Sequence, residues 1–285
     1  MLNVVIGGVP EHFNLPWYLT LKNKEYHEFD INLRWKDFYG GTGAMNAALR
    51  SGEIDLAVIL TEGIIKDIID GNEAKIVQQF IKTPLVWGIH VAADSNFQHI
   101  EDIKGKRAAI SRYGSGSHLM AYVNAENNSW NLETDLNFEV VKNLDGAVEG
   151  LTNRKADYFL WEKFTTKPIV DEGIFRCIDT CPTPWPCFVI AANNNFIENH
   201  YQQLKHILDI INNTTVEFKR IPSIDKTLAN RYDQKLEDIQ DWLSITEWSQ
   251  NITAERTIID VQKVLYDLNI IDKTLNYESL VQKID

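Results

Sequence analysis

The chain has 285 residues, enough for about two domains of ordinary size. Its apolar share of 44% and charged share of 24% are typical of a globular protein and exclude a disordered or fibrous one. The formal net charge is −12 and the basic residues are scattered, so we expect no nucleic-acid partner, which would need clustered Lys and Arg to neutralise phosphates. No apolar run approaches the ~20 residues that span a bilayer, so we expect no membrane insertion.

The N-terminal segment predicts a strand rather than a targeting signal. Residues 1–8 lack the basic region and the cleavage site of a signal peptide, and residues 2–7 are apolar and β-prone. We therefore expect a cytoplasmic protein, or an exported one if a preceding segment was removed.

Short apolar runs then alternate with helical patterns. The spacing of Trp17, Leu19 and Leu21 predicts a short helix. Strands are expected at residues 31–38 and 56–60, and a helix at residues 44–51 that stops at Gly52. This alternation predicts a parallel sheet with helices on both faces.

The same alternation restarts further along the chain and then gives way to helices. Strands are expected at residues 86–93, 107–110, 138–141, 157–161 and 188–192, and helical segments at residues 100–103, from the second glycine turn to about residue 127, and at 145–153. We expect a two-lobe α/β fold in which residues 1–84 and 190–285 form lobe I and residues 85–189 form an inserted lobe II. Strands near residues 81–93 and 183–190 would cross between the lobes as a hinge.

Ligand-binding residues are expected beyond the carboxyl ends of the strands, where helices begin. After the first strand, Phe13 is placed to stack on a flat ligand and Asn14 to supply an amide, with Glu11 and His12 beside them. The alternative for this loop is a rigid turn with core aromatics.

Two further candidates follow the next strands of lobe I. The glycine turn that includes Thr42 and Gly43 offers free backbone N–H groups to an anion, although a simple helix cap explains Thr42 equally well. Thr61, next to Glu62, is a weaker polar candidate at the end of the third strand.

A second glycine turn in lobe II repeats this pattern. Arg112 is suited to neutralise a carboxylate or a sulfonate, and Ser115 and Ser117 would donate hydrogen bonds beside Gly116. His118 is equally consistent with a ligand contact and with a structural role.

Trp161 and Glu162 end a later strand, where Trp161 is placed to act as a lid and Glu162 to accept from an amine or a ring N–H. The alternative is a core tryptophan and a solvated glutamate. Trp185 lies between two prolines and is more consistent with shaping the hinge.

The candidate residues differ in the ligand charge that they favour. Helix starts and Arg112 favour an anion, whereas the glutamates favour a cation or a heterocycle. A zwitterion or an aminopyrimidine phosphate would satisfy both.

No motif supports a cofactor, a metal or a catalytic centre. The three cysteines, Cys177, Cys181 and Cys187, lack the spacing of a zinc site and are odd in number, which favours incidental thiols over a labile disulfide or a metal site. No G-x-S-x-G, HExxH or P-loop pattern is present, and His12 with Glu11, or Cys187 with a nearby histidine, are the only starting points for catalysis.

Apolar stripes in the C-terminal third are typical of core helices. If one of them is only half covered, it would form a homodimer face. The stripes consist of Leu236, Ile239, Trp242 and Leu243, and of Ile258, Val261, Val264, Leu265 and Leu268.

Four segments together resemble the substrate-binding proteins of the periplasmic-binding-protein type II fold, in the branch of sulfonate, taurine, nitrate and thiamine-pyrimidine binders. The segments are residues 51–57 (SGEIDLA), 102–110 (DIKGKRAAI) with the following Ser/Gly turn, 156–162 (ADYFLWE), and the C-terminal helices with Ile270, Ile271 and residues 277–281. The resemblance implies a signal-less relative of transporter solute-binding proteins that closes two lobes on a polar, anionic or heterocyclic small molecule in the cleft between them. A lyase or synthase acting on a pyrimidine-like or carboxylate substrate is the alternative.

Overall fold

The computed structural model describes all 285 residues, which form two compact units. Unit 1 comprises Met1–Thr83 and Trp185–Asp285, and unit 2 comprises Pro84–Pro184. Unit 2 is therefore an insertion, which the chain enters once and leaves once.

Unit 1 is built on a mixed sheet of strand order β2-β1-β3-β10-β4. β1 is parallel to β2 and β3, whereas β10 is antiparallel to β3 and β4. The prediction of an all-parallel sheet is wrong for β10. The chain leaves unit 1 after the carboxyl end of β4 and re-enters it at that same end of the sheet, so β10 runs in the opposite direction. The strands are β1 Leu2–Gly8, β2 Ile31–Asp37, β3 Leu56–Leu60, β4 Ala74–Ile81 and β10 Phe188–Asn193.

Helices cover the sheet of unit 1. α2 is followed directly by Gly52, whose φ of +70° is the left-handed conformation that glycine adopts most readily after a helix end. The predicted helix at 44–51 in fact begins at Gly41, so the glycine turn lies in its first turn. The helices are α1 Leu15–Lys22, α2 Gly41–Ser51, α3 Thr61–Ile69, α7 Asn194–Asn199, α8 Tyr201–Glu217, α9 Ile224–Tyr232, α10 Leu236–Ile245, α11 Glu255–Asp267 and α12 Tyr277–Leu280.

The C-terminal apolar stripes lie mostly in the core of unit 1. Ile239 and Trp242 of α10 are buried, as are Ile258, Val261 and Leu265 of α11, which packs against α3. These stripes therefore stabilise the unit itself, and a homodimer stays a prediction. None of the helices combines the length and the apolar character needed to span a bilayer.

Unit 2 contains a second mixed sheet, of strand order β7-β6-β8-β5-β9. β6 is parallel to β7 and β8, whereas β5 is antiparallel to β8 and β9. Its core includes Ala109, Leu151, Phe159 and Phe175. The elements are β5 Val86–Ala92, β6 Arg107–Ile110, α4 Gly116–Asn127, β7 Asn137–Val140, α5 Leu144–Thr152, β8 Tyr158–Glu162, α6 Lys167–Asp171 and β9 Phe175–Pro182.

Parallel strands bring their carboxyl ends to one edge of each sheet. In unit 1, the loops after β1, β2 and β3 share that edge with the start of β10. In unit 2, the ends of β6, β7 and β8 share an edge with the start of β5, where Glu162 pairs with Trp87. Each unit thus gathers its predicted site residues at one edge of its own sheet.

Candidate functional site

The loop after β1 is packed into unit 1. His12 and Phe13 are both buried, and the His12 ring stacks on Trp242 with a centroid distance of 4.2 Å. Burial lowers the pKa of His12 to about 3, so the imidazole is neutral at physiological pH. This histidine therefore carries no charge with which to pair with Glu11.

Phe13 and Asn14 are held by the same packing. The Phe13 ring lies 5.1 Å from Trp242 and 5.2 Å from Phe188, centroid to centroid. The Asn14 amide nitrogen donates to the Val9 carbonyl at 2.9 Å, and its Oδ1 is buried without a partner. The structure thus favours a rigid turn with core aromatics at this loop, and ligand contact by these residues stays a prediction.

The start of α2 is the second predicted ligand-binding segment of unit 1 and the one predicted to bind an anion. No side chain caps this helix, so the N–H groups near Thr42 and Gly43 have no side-chain acceptor. Thr42 packs instead against α3. Its methyl group lies so close to Gly63 that a Cβ added there would be only 2.3 Å from it. Glycine at position 63 thus lets the two helix starts approach each other.

Thr61 and Glu62 begin α3 and do not end β3 as predicted. The Thr61 hydroxyl donates to the Pro186 carbonyl at 2.6 Å, and its N–H donates to the Cys187 carbonyl at 3.0 Å. Glu62 is buried and accepts a 2.9 Å hydrogen bond from the indole N–H of Trp185. Burial raises the pKa of Glu62 to about 7.

In unit 2, the serines of the second glycine turn hold one another and the end of β6. Ser115 caps α4 by accepting from the His118 N–H, and Ser117 accepts from the Ser111 N–H at 3.0 Å. The two hydroxyl oxygens lie 3.0 Å apart. Since one hydroxyl proton is used between them, one remains available to a ligand.

His118 is enclosed by aromatic rings. Its Nδ1 accepts from the Gly114 N–H at 3.1 Å, so the proton of the neutral ring lies on Nε2. Burial lowers the pKa of His118, and its Nε2 has no partner. Phe138 packs at 4.6 Å between ring centroids. These contacts favour the structural role for this histidine.

Arg112 lies at the start of the same loop and has no carboxylate partner. Partial burial lowers the pKa of its guanidinium, with no anion nearby to offset the desolvation. The other arginines each contact a carboxylate, an amide or carbonyl oxygen, or an aromatic ring. In a chain of net charge −12, this cation is left open to an added anion.

The exposures of Trp161 and Glu162 are the reverse of the alternative of a core tryptophan and a solvated glutamate. Trp161 is partly exposed and stacks on Phe159 at 5.2 Å between centroids, whereas Glu162 is buried. Glu162 accepts from the Thr165 N–H at 2.6 Å and from the Thr165 hydroxyl at 2.7 Å. Burial raises its pKa to about 7. The predicted acceptor is thus present, but one of its oxygens is already used.

The cysteines are free thiols. Cys177 and Cys181 lie four residues apart on β9, a spacing of about 13 Å along a strand and too long for a disulfide. Cys187 belongs to unit 1 and lies in the segment that Thr61 contacts. Their arrangement is consistent with incidental thiols.

Solved structures of known proteins have the same architecture. The Candida albicans CA3427 gene product, described as defining a new family with the generic periplasmic binding protein fold, superposes with a TM-score of 0.91 at 23% identity over 100% of this chain and 97% of its own. The chain has the periplasmic-binding-protein type II fold. The model of the Ca3427-like periplasmic-binding-protein family matches residues 87–181, which lie within unit 2.

Two bacterial ligand-binding proteins are also similar in structure to this chain. The alkanesulfonate-binding protein SsuA of Xanthomonas axonopodis pv. citri, bound to MOPS, has a TM-score of 0.83 at 15% identity and covers 99% of this chain and 98% of its own. The ligand-binding component of an ABC-type import system from Staphylococcus aureus, with zinc bound, has a TM-score of 0.79 at 12% identity over 99% and 97%. Comparison with curated proteins found no match.

Proposed function

We propose that this protein binds a small molecule through an anionic group at the Arg112 loop of unit 2. The observation that supports this proposal is that the guanidinium of Arg112 has no carboxylate partner. Arg112 precedes the start of α4, whose first N–H groups point outward from a 12-residue helix. Arg112 presents a planar set of donors that matches a carboxylate, sulfonate or phosphate.

The surroundings of Arg112 supply further recognition. One hydroxyl proton of the Ser115–Ser117 pair is free to donate to the anion. Tyr113 is 66% exposed beside it and offers a ring to the uncharged part of the ligand. The fold of the alkanesulfonate-binding protein supports the same class of ligand. Closure of the two units on the ligand, transport coupling and a cytoplasmic location stay predictions.

Titration calorimetry with MOPS, acetate and inorganic phosphate tests the proposal. We expect at least one of these anions to bind the wild-type protein and Arg112→Met to weaken that binding by about tenfold or more, because charge-assisted hydrogen bonds are lost. Arg154→Met is the matched control, since that arginine of unit 2 already pairs with Asp94 at 2.8 Å. Absence of binding by all three anions, or equal affinity in Arg112→Met, would overturn the proposal.

A further inference from the structure

The outer edge of β4 in unit 1 is covered by two separate segments. The backbone carbonyl of Asn251 accepts from the Gln79 N–H at 3.0 Å, and the backbone N–H of Gln282 donates to the Ile76 carbonyl at 2.9 Å. Between them the pairing of β4 with β10 shifts, so that Val77 is an extra residue between Ile76 and Gln78. Such bulges re-aim side chains and occur next to functional sites more often than elsewhere.

A cavity of about 280 Å³ opens at this break. Val77, Leu208 and Ile252 form its apolar part, and Gln78, Asn212 and Gln250 its amide-lined part. It lies against the middle of β4 and along α8, in contrast to the strand-end loops described above. The cavity is therefore a place in unit 1, away from those loops, where a small molecule fits.

The amides of this cavity leave hydrogen-bonding capacity unused. Gln78 is 3% exposed, and its Nε2 donates to Asn212 Oδ1 at 2.8 Å and to the Ser249 carbonyl at 3.1 Å. Both amide protons are then engaged, whereas Gln78 Oε1 has no protein donor. Asn212, which accepts through Oδ1, keeps its own Nδ2 protons free.

Two charged side chains of the cavity are also unpaired, whereas a third, Lys283, forms an ion pair with Asp285. Lys205 and Asp209 both line it from α8, four residues apart, yet they form no ion pair. The same Lys-to-Asp spacing elsewhere closes into an ion pair, between Lys66 and Asp70, Lys167 and Asp171, and Lys263 and Asp267. An open pair of opposite charges one helix turn apart suits a ligand that itself carries both charges.

We infer that this cavity binds a small zwitterion of the amino-acid class. The carboxylate of the ligand pairs with Lys205, and its ammonium group donates to Asp209 and to Gln78 Oε1. An aliphatic side chain then packs against Val77, Leu208 and Ile252. This site is independent of the anion site at Arg112 and goes beyond the function proposed above.

Ligand-observed NMR with the standard L-amino acids, each added separately at millimolar concentration, tests the inference. The measurement is made on the full chain carrying Arg112→Met, so that binding at that loop does not contribute. We expect at least one aliphatic amino acid to bind. Lys205→Met and Asp209→Asn, each added to that chain, should weaken its affinity by about tenfold or more, because each removes one charge-assisted contact.

Glu217→Gln is the matched control on the same helix, since that carboxylate pairs with Arg220 at 3.0 Å outside the cavity. It should leave the affinity unchanged, and thermal unfolding should show that all variants stay folded. The inference is overturned if no amino acid binds, or if the affinity is the same in Lys205→Met, Asp209→Asn and the control.

Discussion

The indole N–H of Trp185 donates a 2.9 Å hydrogen bond to the buried carboxyl group of Glu62. Trp185 is the first residue of unit 1 after the chain returns from unit 2, and Glu62 lies in the first turn of α3. With the two bonds from Thr61 to the carbonyls of Pro186 and Cys187, this contact fixes the returning chain to the start of α3. The same carboxyl group makes stability depend on pH.

Replacing Glu62 with glutamine should make the protein less sensitive to rising pH. The pKa of Glu62 is raised from 4.5 to about 7, so between these values the unfolded chain releases the proton while the folded chain keeps it. The contribution of Glu62 to the free energy of unfolding therefore falls as pH rises through that window, by up to about 3 kcal/mol. Glu62→Gln keeps an acceptor for Trp185 and removes this loss.

The comparison must be made between variant and wild type at each pH. His12 acts in the opposite direction, because its pKa is lowered from 6.5 to about 3 and its stabilising contribution is lost as pH falls below 6.5. Urea unfolding across the window gives the difference between the two proteins. A difference that does not change with pH would contradict the assignment of the raised pKa to Glu62.

The close approach of α2 and α3 predicts a clash that a second substitution relieves. Gly63→Ala places a methyl group 2.3 Å from the Thr42 methyl and should lower the free energy of unfolding by about 1–3 kcal/mol. Adding Thr42→Ser removes that methyl and should restore most of the loss. Urea unfolding of the two single variants and the double variant measures the coupling energy; additive effects would show that the two residues do not touch.

The thiols should differ in reactivity. Cys177 is partly exposed, whereas Cys181 and Cys187 are buried, and burial raises the pKa of Cys177 and Cys181. We expect Cys177 to react first with a maleimide, slowly at neutral pH and faster as pH rises, since the thiolate is the nucleophile. Cys177→Ser should remove this first phase. If the phase persists in Cys177→Ser, the burial of one of the other two thiols is contradicted.

Much of the fold could be predicted from apolar periodicity. The strands at Leu56–Leu60 and Arg107–Ile110 match the predicted bounds, and β5 differs by one residue. β4 and β9 were missed. Two adjacent glutamines, Gln78 and Gln79, interrupt the apolar run of β4, and β9 is an edge strand with Asp179 and a terminal proline, residues that strands usually avoid.

The candidate site was harder to predict, because its chemistry depends on burial. The sequence indicated Arg112 and the serines of its loop correctly as neighbours, since a strand followed by a glycine turn and a helix places them at one edge. It gave no signal that His12 stacks on Trp242, 230 residues away in the chain, or that Glu62 bonds Trp185. The helix that begins at Thr61 was not predicted, although the spacing of Ile64, Ile65, Ile68 and Ile69 is typical of one.

Native mass spectrometry of the freshly purified protein, followed by release and identification of any bound small molecule, tests whether Arg112 holds an anionic ligand. We expect the wild-type protein and Arg154→Met to carry a molecule with a carboxylate, sulfonate or phosphate group, and Arg112→Met to lose it. A bound molecule without an anionic group, or an anionic one retained equally by Arg112→Met and by Arg112→Met with Lys205→Met, would contradict anion binding at Arg112.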